Sequence, residues 1–403
     1  MPIKNSLGEL AVFGGNPIFE KKLYVGCPNI GDRKRFLERV EDILEKRLLT
    51  NNGPYVQELE QRLAGLAGVK HCIATCNGTI ALEIAIRALD LSGEVIVPSM
   101  TFIATAHALE WQGITPVFCD IDRNTYNLDP EKIGELISPS TTGILGVHLW
   151  GRPCNIDGLL EIAEERGLKL LFDASHAFGC TYKGSAIGMF GDAEVFSFHA
   201  TKFVNTLEGG AIATNSDELA KKIRLMKNFG FSGYDNVIYI GTNGKMNEIS
   251  AAMGLTSLEK LEEFVAVNRR NYQLYENGLR DIPGVRLMKY DENERSNYQY
   301  IVTSIDKKIT NIGRDEIVKV LWGENVLARR YFYPGCHRME PYRSQNRNSG
   351  LILAATDEAA ASTMQLPTGT SVVEGDISKI CQIIRFTIAN GPDVSRMLAK
   401  ARE

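Results

Sequence analysis

The chain has 403 residues, 44% of them hydrophobic and 23% charged, close to the soluble globular average and outside the ranges of disordered, collagen-like and coiled-coil chains. With 45 Lys and Arg against 49 Asp and Glu the formal charge is −4, which excludes the broad basic footprint needed to bind a nucleic-acid backbone. No run approaches the ~18 consecutive apolar residues of a membrane span, and Met1 to Glu20 lacks a basic stretch followed by an apolar one. The expected location is therefore the cytoplasm, with neither membrane nor nucleic acid as partner.

At roughly 150 residues per domain this length suggests two or three domains. Residues 1–25 read as an N-terminal extension. From about residue 70 apolar strands alternate with helical periodicity. His71 to Thr75 reads as a strand and Thr79 to Leu89 as a helix. Glu94 to Val97 is a strand closed by Pro98, and a helix follows over Thr101 to Trp111. Pro116 to Asp120 and Gly143 to Leu149 read as strands. Asp157 to Arg166 is a helix stopped by Gly167, and Leu170 to Phe172 is a buried strand ending in Asp173. Such βα repeats imply an α/β fold with a mostly parallel sheet covered on both faces.

Past Asn215 the pattern changes. Ser216 or Asp217 caps a basic amphipathic helix running through Met226, and a Gly-rich segment spans Gly230 to Gly244. A long charged helix is expected over Glu259 to Gly278, followed by mixed strands and helices from Val285 to Thr370. The division predicted is a large domain over 26–262 and a smaller C-terminal α+β domain over 263–403. Eight cysteines occur without a Cys-x-x-Cys pair, and Cys72 and Cys76 have no His at ligand spacing, so reduced buried thiols and no metal site are expected.

The chemistry concentrates at strand ends, where open α/β sheets place their active sites. Lys202 follows the strand Val195-Phe196 within Ser197-Phe198-His199-Ala200-Thr201-Lys202. A lysine there becomes a nucleophile if its site frees the amine. Asp173 ends a second apolar strand. Together a strand-end lysine and aspartate fit pyridoxal phosphate, the lysine holding the aldehyde and the carboxylate keeping the pyridine nitrogen protonated. Asn77-Gly78-Thr79 at a strand-to-helix junction offers free N–H groups to a phosphate, Ser197 adds a hydroxyl, and Phe102 is placed to stack on a planar ring. The chain has no G-x-G-x-x-G after its first strand and no G-x-x-x-x-G-K-[ST], which disfavours nicotinamide and P-loop chemistry. His148 is read as structural and His337 as a substrate-pocket residue.

The stretches Phe172 to Gly179 and Phe196 to Lys202 with Glu208-Gly209-Gly210 resemble the DegT/DnrJ/EryC1/StrS family of sugar-nucleotide aminotransferases. So do Gly53-Pro54, Pro98 to Thr105, Val147 to Gly151 and Asn243 to Glu248. Ala11 to Gly15 and Tyr333 to His337 extend the likeness toward members that aminate dTDP-linked 4-keto-6-deoxy sugars. The resemblance implies a fold-type I pyridoxal phosphate aminotransferase and a homodimer with L-glutamate as donor and a nucleotide-linked keto sugar as acceptor. Carried over by position, Lys202, Asp173 and His176 would be catalytic, with Gly78, Thr79, Phe102, Ser197 and Asn243 completing the pyridoxal 5'-phosphate site. Asn243 would reach the cofactor phosphate of the neighbouring subunit. Lys245, Tyr331 and His337 would contact substrate, although many members carry aromatic and arginine residues where Gly244 and Lys245 stand. Competing readings are a 3-keto sugar aminotransferase, a dehydratase acting on the same nucleotides, and a cofactor-binding regulator without turnover. The dehydratase branch replaces the lysine by histidine, and Lys202 argues against it.

Overall fold

Strands that are apolar on both faces need cover on both faces, and the chain supplies it with helices packed on either side of one seven-stranded sheet. The computed structural model describes residues 4–345, 348 and 350–400. The sheet is built from β1 (His71–Thr75), β2 (Glu94–Pro98), β3 (Thr115–Cys119), β4 (Thr141–Val147), β5 (Lys169–Asp173), β6 (Ala193–Ser197) and β7 (Gly210–Thr214), in the spatial order β1-β7-β6-β5-β4-β2-β3. Every pairing is parallel except those of β7, which runs antiparallel to both β1 and β6. β7 is wholly buried.

The helices of this part are α1 (Arg33–Lys46), α2 (Pro54–Ala67), α3 (Gly78–Ala88), α4 (Ile103–Glu110), α5 (Ile156–Arg166), α6 (Asp217–Met226) and α7 (Glu248–Leu258). α4 starts later than the periodicity predicts, because Phe102 remains extended as its N-cap. α7 escapes a periodicity search altogether. It is buried almost all round, through Ala251, Ala252, Gly254 and Ser257 among others, so it has no polar stripe to betray it. Its Glu248 is completely buried and accepts from the backbone N–H groups of Tyr55 and Val56 at 2.9 and 3.1 Å, capping α2. A Cβ on Gly53 would stand 2.6 Å from the Glu248 Cδ. Gly53-Pro54 and Asn247-Glu248 are thus two halves of one joint.

The chain breaks at Lys260 and resumes as α8 (Leu261–Leu279), so the expected helix from Glu259 begins two residues later. The 262/263 division falls in the first turn of α8. Beyond it β8 (Val285–Leu287), β9 (Ile301–Ile305) and β10 (Thr363–Leu366) form an antiparallel sheet in that order. α9 (Arg314–Gly323), α10 (Ala354–Ser362), α11 (Glu374–Ala389) and α12 (Gly391–Lys400) accompany it. Of the eight free cysteines, Cys27 and Cys76 are only partly covered and the other six are buried. No helix among the described residues is long and apolar enough to cross a membrane.

The N-terminal segment is fastened to this C-terminal part. Leu10 is completely buried, and Leu23–Tyr24 pairs in parallel with Val326–Leu327. Glu324, also completely buried, accepts from the backbone N–H groups of Ala11 and Ile18, both at 2.8 Å, and pairs with the Lys4 ammonium at 3.3 Å. Glu324→Ala strands two backbone donors and a cation. Leaving buried donors unsatisfied costs about 1–3 kcal/mol each. The expected loss is about 2–4 kcal/mol in a urea titration, and a loss below about 1 kcal/mol would show that the clasp is dispensable.

Candidate active site

Four strands of the large sheet deliver residues to one edge. β5 ends on Asp173, which is 5% exposed. Its Oδ2 accepts from Thr105 Oγ1 on α4 at 2.9 Å and its Oδ1 from the Ser175 N–H at 3.1 Å. Thr105 Oγ1 in turn lies 2.9 Å from Thr101 Oγ1. The carboxylate is therefore fixed in position before any ligand arrives.

Past the end of β6, a turn closed by the Lys202 N–H on His199 O carries Lys202, whose Nζ reaches Tyr300 Oη at 3.4 Å. Burial pushes the Lys202 amine down to about 8, and the attraction of Asp173 offsets only part of that shift. Roughly a tenth of the amine is then unprotonated at pH 7, against a negligible fraction for an ordinary lysine. His176 Nδ1 accepts the Trp150 N–H at 3.2 Å, which places the ring proton on Nε2. Its ring lies 4.6 Å from that of Tyr300 and 6.0 Å from that of Phe332, nearly parallel to the latter. Burial first, and then the Lys202 charge, hold His176 well below its usual range. As pH falls below about 6.5 the unfolded chain takes up this proton before the folded one does. Stability should drop from there toward the depressed folded value. A urea midpoint that does not move between pH 7 and 5.5 would contradict a neutral, buried His176.

β1 leads through Asn77 into α3. Asn77 Oδ1 accepts from the Ile80 N–H at 2.8 Å, while the Gly78 and Thr79 N–H groups have no acceptor among the described residues. Across from them stands Ser197, the last residue of β6. A Cβ on Gly78 would meet Ser197 Cβ at 3.0 Å and Oγ at 3.3 Å, so only glycine keeps the gap open. Two free backbone donors, a helix N-terminus and a hydroxyl form a cradle of the kind that holds a phosphate. Phe102, half exposed, stands beside Phe332 with ring centroids 6.4 Å apart. Through Phe332, His176 and Tyr300 it connects to Lys202 by ring contacts. Outside this line lies a cleft of about 390 Å³, with Phe102, Tyr331 and Phe332 among its walls.

Lys202, Asp173, His176, Gly78, Ser197, Phe102 and Tyr331 are thus arrayed around one edge of the sheet. Three other residues are placed elsewhere. His337 is not among the residues lining the cleft: it is 2% exposed, with Nδ1 2.7 Å from Ser99 Oγ and Nε2 3.4 Å from Asp357 Oδ1. With Cys336, whose N–H donates to Ser99 O at 2.9 Å, it pins the C-terminal part onto the turn that carries Phe102. Lys245 Nζ donates to Asn228 Oδ1 at 2.9 Å over the Phe229 ring and lines a separate cleft with Arg224 and Lys227. Asn243 is exposed at the end of the Gly-rich segment. That segment also contains a short hairpin, Phe231–Gly233 with Asn236–Val237. His148 is buried, with Nε2 3.1 Å from Glu194 Oε2. Thr105, Tyr300 and Phe332 were not foreseen. Thr105 sits one turn into α4, three residues from Phe102, and that spacing was its one sequence signal.

A family profile described as the DegT/DnrJ/EryC1/StrS aminotransferase family matches residues 31–385. A dTDP-4-amino-4,6-dideoxy-D-glucose transaminase from Shigella dysenteriae is 41% identical over 78% of this chain and 86% of its own. One from Escherichia coli is 37% identical over 91% and 98%. Among solved structures, DesI in the presence of its TDP-sugar product superposes with a TM-score of 0.94 at 47% identity, covering 99% of this chain and all of the other.

Proposed function

Because the chain belongs to the DegT/DnrJ/EryC1/StrS aminotransferase family, we propose that it transfers an amino group from L-glutamate to C4 of a dTDP-linked 4-keto-6-deoxy sugar, using pyridoxal 5'-phosphate. The observation that carries this reading is the placement of Lys202 and the fixed carboxylate of Asp173 at one edge of the sheet beside an open phosphate cradle. The names of the relatives supply the sugar.

The residues fit the cofactor. Lys202 would bond to its aldehyde carbon, Asp173 would face its ring nitrogen, and Phe102 would cover one face of the ring. The Gly78 and Thr79 N–H groups and Ser197 Oγ would hold its phosphate. Bound there, pyridoxal phosphate supplies an electron sink for the carbon that gains or loses the amino group. The chain supplies the rest. Asp173, buried and held by Thr105 and Ser175, keeps a fixed negative charge where a protonated ring nitrogen needs one. Lys202 takes the proton from Cα of the donor and returns one to the sugar carbon from its own side, so its position sets the configuration of the product. An amine whose pKa lies near 8 suits both directions of that transfer. Neutral His176 offers its Nε2–H to the ring's hydroxyl side without adding a second cation near Lys202.

Gly78→Ala tests the cradle. The added methyl meets Ser197, and cofactor affinity is expected to fall at least tenfold, read by titrating the apoprotein; unchanged affinity would remove Gly78 from the phosphate site. For the reaction itself the test is incubation with glutamate and a panel of dTDP- and UDP-linked 3-keto and 4-keto sugars, with product configuration read by NMR. Turnover only with a 3-keto sugar, or a product that loses oxygen without gaining nitrogen, would overturn the proposal.

The site is proposed to be completed by a second copy of the chain. Supporting this are the outlying positions of Asn243 and Lys245 and the exposed apolar side chains beside them, including Tyr234, wholly exposed, and Ile240 at 76%. Mixing Lys202→Ala with Asn243→Ala protein is the check. Random exchange makes half the dimers hybrid, each with one intact site, so about a quarter of wild-type activity should return. No recovery after subunit exchange would place Asn243 in its own chain's site.

A further inference from the structure

Two of the residues placed around Lys202 share one anchor in the C-terminal part. Tyr290 lies between β8 and β9 and is 7% exposed. Its Oη receives the Tyr300 N–H at 3.3 Å and stands 2.9 Å from Tyr300 O and 3.3 Å from Trp150 O. A phenol has a single proton, so this one is shared between two carbonyls, one just ahead of β9 and the other past the end of β4. Both carbonyls belong to residues that act on the site. Tyr300 puts its own Oη 3.4 Å from Lys202 Nζ and its ring 4.6 Å from that of His176. Trp150 donates its N–H to His176 Nδ1 at 3.2 Å. Trp150 is completely buried, and its φ of 55° is left-handed, a conformation that a bulky residue keeps only where its surroundings hold it. With its N–H on His176 and its C=O on Tyr290, the peptides on both sides of Trp150 are tied.

We infer that Tyr290 is a positioning residue for the amino transfer at Lys202, setting Lys202 through Tyr300 and His176 through Trp150. The ladder between β9 and β10 begins at Ile301 opposite Leu366, so the backbone of Tyr300 stands outside the sheet. Tyr290 supplies it with the partners that a neighbouring strand would otherwise give, and buried backbone groups need such partners. Deleting this one hydroxyl loosens both routes at once, and proton transfer at Lys202 is sensitive to small misplacements of the groups around it. A second phenol of the same cluster lacks this connection. Tyr272 on α8 has its ring 5.3 Å from that of Tyr290, but its Oη is 3.2 Å from Met288 O, the carbonyl of a residue that carries no group of the site.

The inference rests on the reading above that Lys202 is the reacting amine, and its test keeps the two apart. Holoenzyme carrying Tyr290→Phe, which deletes only the shared hydroxyl, is compared with wild type and with Tyr272→Phe. Tyr290→Phe should lower kcat about fivefold to tenfold, the rate equivalent of one lost hydrogen bond, while KM for glutamate and for the keto sugar moves less than about twofold. The pH at which the visible absorbance of lysine-bound pyridoxal phosphate changes should move by about half a unit or more, because a displaced Tyr300 Oη meets the charged and neutral forms of the nitrogen differently. Tyr272→Phe should lose comparable stability in urea yet keep the wild-type kcat and absorbance profile. Equal losses of kcat in the two phenylalanine variants would make Tyr290 a stabilising residue only and overturn the inference, as would an absorbance profile unchanged in Tyr290→Phe. Lys202→Ala is run alongside. Turnover retained there overturns the reading of Lys202 and this inference with it, whereas turnover lost there beside wild-type kcat in Tyr290→Phe overturns the inference alone.

Discussion

Lys202→Ala should lose turnover and the visible absorbance of lysine-bound pyridoxal phosphate together. Removing a positioned proton-transfer group alone costs about 10²–10⁴-fold, and the loss of the nucleophile adds to it. Lys202→Arg should fare no better, because a guanidinium keeps the charge but offers no free amine. Added small primary amines should restore part of the rate in Lys202→Ala, which separates lost chemistry from a damaged fold. Stability should move the other way. Folding holds the Lys202 amine at about 8, whereas the unfolded chain returns it to about 10.4. Between those values the unfolded state binds more protons, so wild-type stability rises with pH from about 8 to about 10.4. Below that window the buried charge is a cost. Lys202→Ala should therefore melt no lower than wild type at pH 7 and should lack the alkaline rise. Retained transamination by the variant, read as 2-oxoglutarate formed, would sink the assignment.

The second large effect is expected from Asp173→Asn. The amide keeps the shape and can still accept the hydrogen bond that Thr105 donates at 2.9 Å, giving up the one from the Ser175 N–H, so the fold should survive. What it loses is the fixed charge. Electrostatic partners of developing charge are worth about 10²–10³-fold in rate, and kcat should fall by about that factor. Thr105→Val leaves the carboxylate charged but frees it to swing, so its loss should be smaller, about tenfold, one hydrogen bond to a charged group being worth about 1.5–3 kcal/mol at most. Full kcat in Asp173→Asn would exclude a role at the ring nitrogen.

The strand-end residues were legible because β strands of this type declare themselves. Leu170 to Asp173 and Val195 to Ser197 are apolar runs stopped by a polar residue, and position at a strand's carboxyl end carries the functional meaning. Asp173 and Ser197 close their strands, whereas Gly78, at the start of α3, and Lys202, in the turn past β6, were expected from the pyridoxal phosphate reading built on them. β7 was missed because Gly210 to Thr214 is short, rich in small residues and opens on the second glycine of a pair. Tyr300 and Phe332 lie in the C-terminal half, where no repeat relates sequence position to the site. The C-terminal part meets the large one at the turn after β2, where the Cys336 N–H donates to Ser99 O. His337 shows the opposite error. A histidine in a motif stretch was expected to meet substrate, yet burial against Ser99 and Asp357 turns it inward.

The clasp between the N-terminal segment and Glu324 joins residues 313 positions apart, Ala11 to Glu324. A ribosome delivers one half of it 313 residues before the other. The first two dozen residues must therefore wait, unpaired, while the entire seven-stranded sheet is made, and Leu10 has nothing to bury against until α9 has left the exit tunnel. The large sheet is in effect an insertion into a smaller body, one piece of which is made before the sheet and docked after it.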